Sequence, residues 1–155
     1  IFVSVDITAP LYWWKEFDTY KVGTVANSCS TMHKIHAKEF TFDDFSHDHL
    51  MWLNNDPQCY IWIGETKFSP KDILIQTIKM LNYCRRLYLK TNAKEYWWQM
   101  IQLLPTSYNQ KRTVMLNYEV LANIYKSRKD HKLDEWHDLC HWIESLPYSQ
   151  LITGN

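Results

Sequence analysis

Glycine is scarce in this chain: there are three in 155 residues, Gly23, Gly64 and Gly154. Both standard phosphate-cradling loops, GxGxxG and GxxxxGK[ST], need glycines closer together, so neither can be written anywhere in the sequence. A charge excess is lacking too. Seventeen Lys and Arg stand against seventeen Asp and Glu, which excludes the broad positive field that nucleic-acid binding relies on, and no nucleic-acid partner is expected. The four cysteines, Cys29, Cys59, Cys84 and Cys140, form no CxxC pair, and the chain does not open on an apolar signal segment. They read as reduced thiols in a cytoplasmic protein. No apolar run approaches the roughly 20 residues that cross a bilayer, so no membrane partner is expected. Ile rather than Met stands first, which leaves room for residues upstream.

Aromatic residues, by contrast, are abundant at 15%, with eight tryptophans, and a chain of this length that is 46% hydrophobic suits a single domain spanning residues 1–155. Trp13–Trp14 and Trp97–Trp98 are neighbours in sequence. Adjacent helical positions point roughly 100° apart, so each pair is expected to serve two surfaces, either two cores or a core and a partner subunit. With no net positive charge, Trp97, Trp98 and the Tyr88 face read as packing rather than as a base-stacking platform.

The pattern along the chain predicts a half-buried strand over Ile1–Thr8 and a Pro10-started helix running to about Tyr20. Thr41–His49 is acidic and turn-like, and Gln58–Ile63 is a short aromatic and β-branched run suited to a strand. Ser69-Pro70-Lys71-Asp72 reads as a helix start, with apolar positions keeping a helical period to about Lys90. A second helix, Ala93–Leu104, is stopped by Pro105. Lys111–Asn117 alternates like a strand and runs into a helix capped by Asn117 and ending near Arg128. A last helix covers Asp134–Leu146, before Pro147.

Between Tyr20 and His33 lie Lys21, Thr24, Asn27, Ser28, Ser30 and Thr31, too polar a set for a core and bordered by too many aromatics for a disordered tail. This stretch reads as a pocket wall. Within it Cys29 is a conceivable nucleophile with His33 four residues on as its base, although such a cysteine is more often a small residue in a tight segment. His137 and His141 share a helix face with Cys140 beside them, which raises a zinc reading. Cys140 points elsewhere on the helical wheel and no HExxH glutamate is present, so no metal is assigned.

The order and wording of these segments resemble the flavin-dependent thymidylate synthases, the ThyX family. Ala9-Pro10 opens the segment that leads in that family to R-H-R, where this chain has Thr19-Tyr20-Lys21. Asn27-Ser28-Cys29-Ser30 stands where N-E-x-S would, with one residue inserted between. LNYEVLANIYKSR places Arg128 at the family's helix-ending Arg, and His131 to His137 overlays H-A-Q-x-E-I-R, matching at His131 and Glu135, with His137 in place of the final Arg.

The resemblance implies an α+β fold with a small, mostly antiparallel sheet flanked by helices, and a homo-oligomer, a tetramer with sites between subunits. It further implies FAD reduced by NADPH, with methylenetetrahydrofolate donating carbon to the nucleotide dUMP. In that frame Ser30 and His137 are the catalytic positions, His137 standing in for an Arg that polarises the pyrimidine. Tyr20, Lys21, Asn27, Arg112, Arg128, His131 and Glu135 are the cofactor- and nucleotide-binding positions, with Lys111 and Tyr108 as further candidates. Arg112 and Lys111 are equally well read as solvated strand-edge charges. Arg offers a rigid fork of donors that Lys, Tyr, Thr and neutral His cannot copy. The expectation is therefore a nucleotide- or flavin-binding relative with reduced or lost catalysis, the alternative being an active synthase.

Overall fold

Alternation at the N-terminus produces a strand where it was expected. Strand β1, Phe2–Pro10, turns Val3, Val5 and Ile7 inward and Phe2, Ser4, Asp6 and Thr8 outward. The computed structural model describes residues 1–28, 32–54 and 58–154. Contacts divide the chain into two compact units, Ile1–Cys29 with Gln110–Asn155, and Ser30–Asn109.

In the first unit β1 is followed by helix α1, Leu11–Phe17, and strand β2, Thr24–Ser28. α1 is shorter than its pattern predicted. The Thr19 hydroxyl donates to the Glu16 carbonyl at 2.8 Å, and the Thr19 and Tyr20 amides close four-residue turns on the Glu16 and Phe17 carbonyls. A side chain that competes for a backbone carbonyl in this way ends a helix. β2 lies in the stretch read as a pocket wall and pairs antiparallel with a later strand, β5, Asn109–Asn117, with Thr24 opposite Leu116 and Ser28 opposite Arg112. The sheet order is β1-β5-β2. The Tyr118 amide meets the Ile1 carbonyl while Thr113 meets Asp6, so β1 also runs antiparallel to β5.

Asn117 ends β5 and caps helix α4, Tyr118–Arg128, its side chain accepting from the Val120 amide at 2.8 Å. Helices α5, Asp134–Glu144, and α6, Gln150–Thr153, complete the unit. Trp13, Trp14, Phe17, Val114, Leu116, Leu121, Ile124, Trp136 and Ile143 form its core. Each fully buried apolar side chain of this size contributes about 1.5–3 kcal/mol against exposure. Trp13 and Trp14 were expected to serve two surfaces. Both are buried in this one core, their rings edge-on at 4.8 Å, because α1 is enclosed by aromatic neighbours.

The second unit contains a short hairpin, β3 (Ile61–Ile63) with β4 (Thr66–Phe68), where a single strand over Gln58–Ile63 was expected. Gly64 turns it at φ 62°. The acidic segment Thr41–His49 holds one turn of 3-10 helix, Phe42–Asp44, closed by a reciprocal Thr41–Asp44 capping box. Helix α2, Pro70–Thr91, starts on the predicted cap: the buried Ser69 hydroxyl accepts from the Asp72 amide at 3.2 Å, and the Asp72 carboxylate accepts from the Ser69 amide at 2.8 Å. Helix α3, Lys94–Leu103, follows after a two-residue link, Asn92-Ala93, with Asn92 in the left-handed conformation at φ 54°. Leu81 and Met100 are fully buried between neighbours Ile35, Phe40, Phe45, Leu74 and Ile78.

Candidate functional site

A residue that the sequence reading did not single out organises the predicted positions of the first unit. Glu16, on α1, receives two N–H groups on its Oε2, from Arg128 Nη1 at 3.0 Å and Trp136 Nε1 at 2.9 Å, and His131 Nε2 lies 3.4 Å from the same oxygen. Arg128 also donates from Nε to the Tyr20 hydroxyl at 2.9 Å. Its guanidinium stacks 4.6 Å from the Trp136 ring centre, a placement that favours Arg over Lys. The His131 Nδ1 accepts from the Leu133 amide at 3.1 Å, which puts the ring proton of the neutral imidazole on Nε2, facing Glu16.

The chain builds this cluster from three local events. The early end of α1 brings Tyr20 back beside Phe17 and Trp136. The last turn of α4 presents Arg128, and the bond from Leu133 to His131 closes the turn before α5. Tyr20, Arg128 and His131 are thus brought together around Glu16. The signal for Glu16 was present in its place one helical turn before Tyr20, but a lone carboxylate between aromatics carried no motif of its own.

The other predicted residues have contacts and surroundings of their own. Arg112 donates to Asp18 at 2.7 Å and to the Gln110 side chain at 2.8 Å, and covers the Trp14 ring at 4.3 Å. It is a packed ion pair rather than a solvated strand-edge charge, with its side chain 16% exposed. Lys111, the other candidate charge on that strand, pairs with Asp6 at 3.0 Å and stays largely exposed. Glu135 accepts from the Tyr12 hydroxyl and lines a cleft of ≈ 260 Å³ with Ala9, Trp13, Asp6 and Asp138. Three carboxylates on that cleft, Asp6, Glu135 and Asp138, make it a poor seat for a phosphate. His137 sits on α5 with Nδ1 4.0 Å from Asp134. Lys21 and Asn27 are exposed. Tyr108 belongs to the second unit, where its ring meets Phe40 and Phe45 and burial pushes its phenol above the ordinary value. Ser30 and Cys29 lie outside the described residues.

Among the described residues no three His, Cys, Asp or Glu side chains gather into a metal-holding group. Cys140 is buried in α5, and burial pushes its thiol up to about 11, so it is a packing residue in its protonated form. Among the described residues no helix is long and apolar enough to cross a membrane.

A flavin dinucleotide carries a diphosphate, and the donors here fit it only in part. Arg128, Arg112 and Lys21 supply three positive charges, of which Glu16 and Asp18 already match two. No family model matches the sequence, and neither does any curated protein. Two solved structures of the flavin-dependent thymidylate synthase ThyX from Helicobacter pylori, each complexed with FAD and dUMP, match the chain at TM-score 0.63 with 16% identity, over 99% of this chain and 72% of theirs. The chain therefore has a ThyX-like α+β fold, a small antiparallel sheet flanked by helices.

Proposed function

We propose that this chain is a divergent ThyX-like protein that binds a nucleotide or flavin with reduced or lost catalysis. The observation that carries this reading is that both arginines expected to grip anions are held by carboxylates from the α1 segment, Arg128 by Glu16 and Arg112 by Asp18. An anion must compete with those carboxylates for each guanidinium, so phosphate affinity falls. Within this reading Lys21, Tyr20, Asn27, Arg112, Arg128, His131 and Glu135 hold ligand, and Ser30 and His137 occupy the positions next to the pyrimidine. Bound FAD would supply the electrons for methyl transfer from methylenetetrahydrofolate, itself being reduced by NADPH. Neutral His137 offers one donor where the resemblance places Arg, which weakens stabilisation of charge on the pyrimidine.

The reading includes a homo-oligomer, a tetramer by resemblance. Support comes from the sheet, where the cross-strand partners Val25 and Met115 are both exposed, at 61% and 48%, beside an exposed Phe2. Apolar side chains facing outward from a sheet are the ordinary mark of a covered surface.

The test is to purify the protein and record flavin absorbance at 450 nm. FAD and dUMP are then added separately in thermal-shift measurements, and dUMP methylation is assayed with methylenetetrahydrofolate and NADPH. Stabilisation by FAD or dUMP with little or no turnover is the expected result. A ligand present in about 100-fold excess over its dissociation constant stabilises by about 2.7 kcal/mol. No shift with either ligand removes the reading, and rapid turnover replaces it with an active synthase, the alternative favoured by the FAD- and dUMP-bound structures that share the fold.

A further inference from the structure

We propose that the second unit carries a ligand site of its own, a cleft of ≈ 490 Å³ lined by His33, Tyr88, Asn92, Lys94, Trp97 and Trp98. Its ligand is a flat aromatic or heteroaromatic ring bearing an anionic group, the chemistry of a nucleoside monophosphate. The inference stands independently of the reading above, since none of these side chains belongs to the Glu16–Arg128 cluster.

The cleft is a consequence of how α2 joins α3. The Asn92 amide closes the last turn of α2 on the Tyr88 carbonyl at 2.7 Å, and the two-residue link sends the chain directly into α3. Tyr88 and Asn92 from one helix end are thereby set opposite Lys94, Trp97 and Trp98 from the next helix start. Two of the rings are fixed. Tyr88 packs on His36 with ring centres 4.8 Å apart, and Trp97 packs against the core while its Nε1 donates to the Met32 carbonyl at 3.1 Å. Trp98 stands edge-on to Trp97 at 5.0 Å and 72°, yet remains 43% exposed.

The adjacent tryptophans thus divide their work. Trp97 packs, as the sequence suggested of both, whereas Trp98 is left with open ring surface beside rigid neighbours. A stacking ligand needs that combination, because no ordering of the wall is left to offset on binding.

Charge selects the ligand. Among the described lining residues Lys94 is the one Lys, Arg, Asp or Glu, and its Nζ lies 5.9 Å from the Trp98 ring centre. Among the described residues no carboxylate lines this cleft, unlike the cleft beside Glu135. Asn92 and His33 add hydrogen-bonding groups able to read ring edges or hydroxyls. The volume falls within the roughly 300–1,000 Å³ typical of small-molecule sites.

The experiment titrates the full chain with adenosine 5′-monophosphate, with adenosine and inorganic phosphate as separate probes, following binding by ligand-observed NMR. Wild type should bind the monophosphate with a dissociation constant near or below about 1 mM, adenosine more weakly, and phosphate not measurably. Trp98→Ala, at an exposed position, should weaken the monophosphate roughly tenfold by removing the stacking face. Lys94→Gln should weaken it several-fold and leave adenosine unchanged. The proposal is overturned if Trp98→Ala and Lys94→Gln titrate like wild type, if the monophosphate does not bind in the millimolar range, or if Arg128→Gln alone abolishes binding. That last result would assign the ligand to the Glu16–Arg128 cluster.

Discussion

Glu16 holds Arg128 by a 3.0 Å contact between Oε2 and Nη1, and the same carboxylate oxygen receives the indole N–H of Trp136 at 2.9 Å. One acidic side chain therefore fixes the guanidinium and neutralises it. Position and charge are separable, because glutamine keeps an acceptor oxygen for the indole and the guanidinium while removing the negative charge.

Glu16→Gln should therefore leave the fold intact and release the charge of Arg128. Glu16 is about a third exposed, so solvent already screens the pair and the expected loss of stability is modest, about 1 kcal/mol in urea denaturation. Affinity for dUMP should rise roughly tenfold, a step of about 1.4 kcal/mol, read by calorimetric titration. Lower stability with unchanged dUMP affinity would show that the pair serves only to hold α4 and α5 on α1.

The buried thiols give a second expectation. Cys84 and Cys140 are buried, and desolvation raises both thiols, Cys140 to about 11 with the carboxylates of Glu144 and Asp130 adding to the effect. The thiolate is the reactive form. Iodoacetamide at pH 8 followed by peptide mass mapping should find Cys59 alkylated in the native protein, and Cys84 and Cys140 only after unfolding in urea. Native labelling of Cys140 would contradict its packing in α5.

The sequence carried the scaffold further than the site. α2 and α4 announced both ends, through Ser69-Pro70 and Asn117 at their starts and through periodic apolar positions, and Pro105 marked the stop after α3. β2 was not legible as a strand, because an edge segment reading Thr-Val-Ala-Asn-Ser has no alternation and gains its order from pairing with β5. β4 was missed for a similar reason: Thr66–Phe68 is too short to show a period. Tyr20, Arg128 and His131, which the family resemblance names, do lie together around Glu16. Glu16 itself was not legible, since its contacts are with Arg128, His131 and Trp136, all far away in sequence. Arg112 read equally well as a ligand donor or a free surface charge, and nothing in the sequence points to its contacts with Asp18 and Trp14.

Acid should destabilise the second unit through its two capping boxes. The Ser69 hydroxyl and amide hold Asp72 below the usual carboxylate range. Burial alone would raise Asp44, but hydrogen bonds from Lys38 and Thr41 outweigh it and bring the group below its ordinary value. A carboxyl depressed in the folded state stabilises fully above its unfolded value and loses that contribution as pH falls through the folded one. Thermal stability should thus be level above about pH 5 and fall below about pH 4. Asp72→Asn should lower the melting temperature at pH 7 and flatten this acid limb. Ser69→Ala removes the buried cap and should cost about 1 kcal/mol at neutral pH. An unchanged acid limb in Asp72→Asn would show that other carboxyls govern acid unfolding.

Gly23 offers the sharpest test of how α4 is seated, because two separate demands meet there. Its φ of 77° lies in the region that L side chains rarely adopt. A Cβ at this position would also approach Asn117 Nδ2 to 2.7 Å and Val120 Cγ2 to 3.0 Å. Asn117 cannot yield freely, since its side-chain oxygen caps α4 at the Val120 amide. Gly23→Ala should therefore combine backbone strain of about 1–2 kcal/mol with disturbance of a cap whose loss costs about 1 kcal/mol. The expected result is a destabilisation of about 2–3 kcal/mol by urea denaturation, the sum of those two costs. Gly64→Ala separates the contributions, because Gly64 shares the positive φ, at 62°, but a Cβ there would meet nothing within 4 Å among the described residues. It should lose only the strain, and equal losses in the two variants would show that the approach to Asn117 costs nothing.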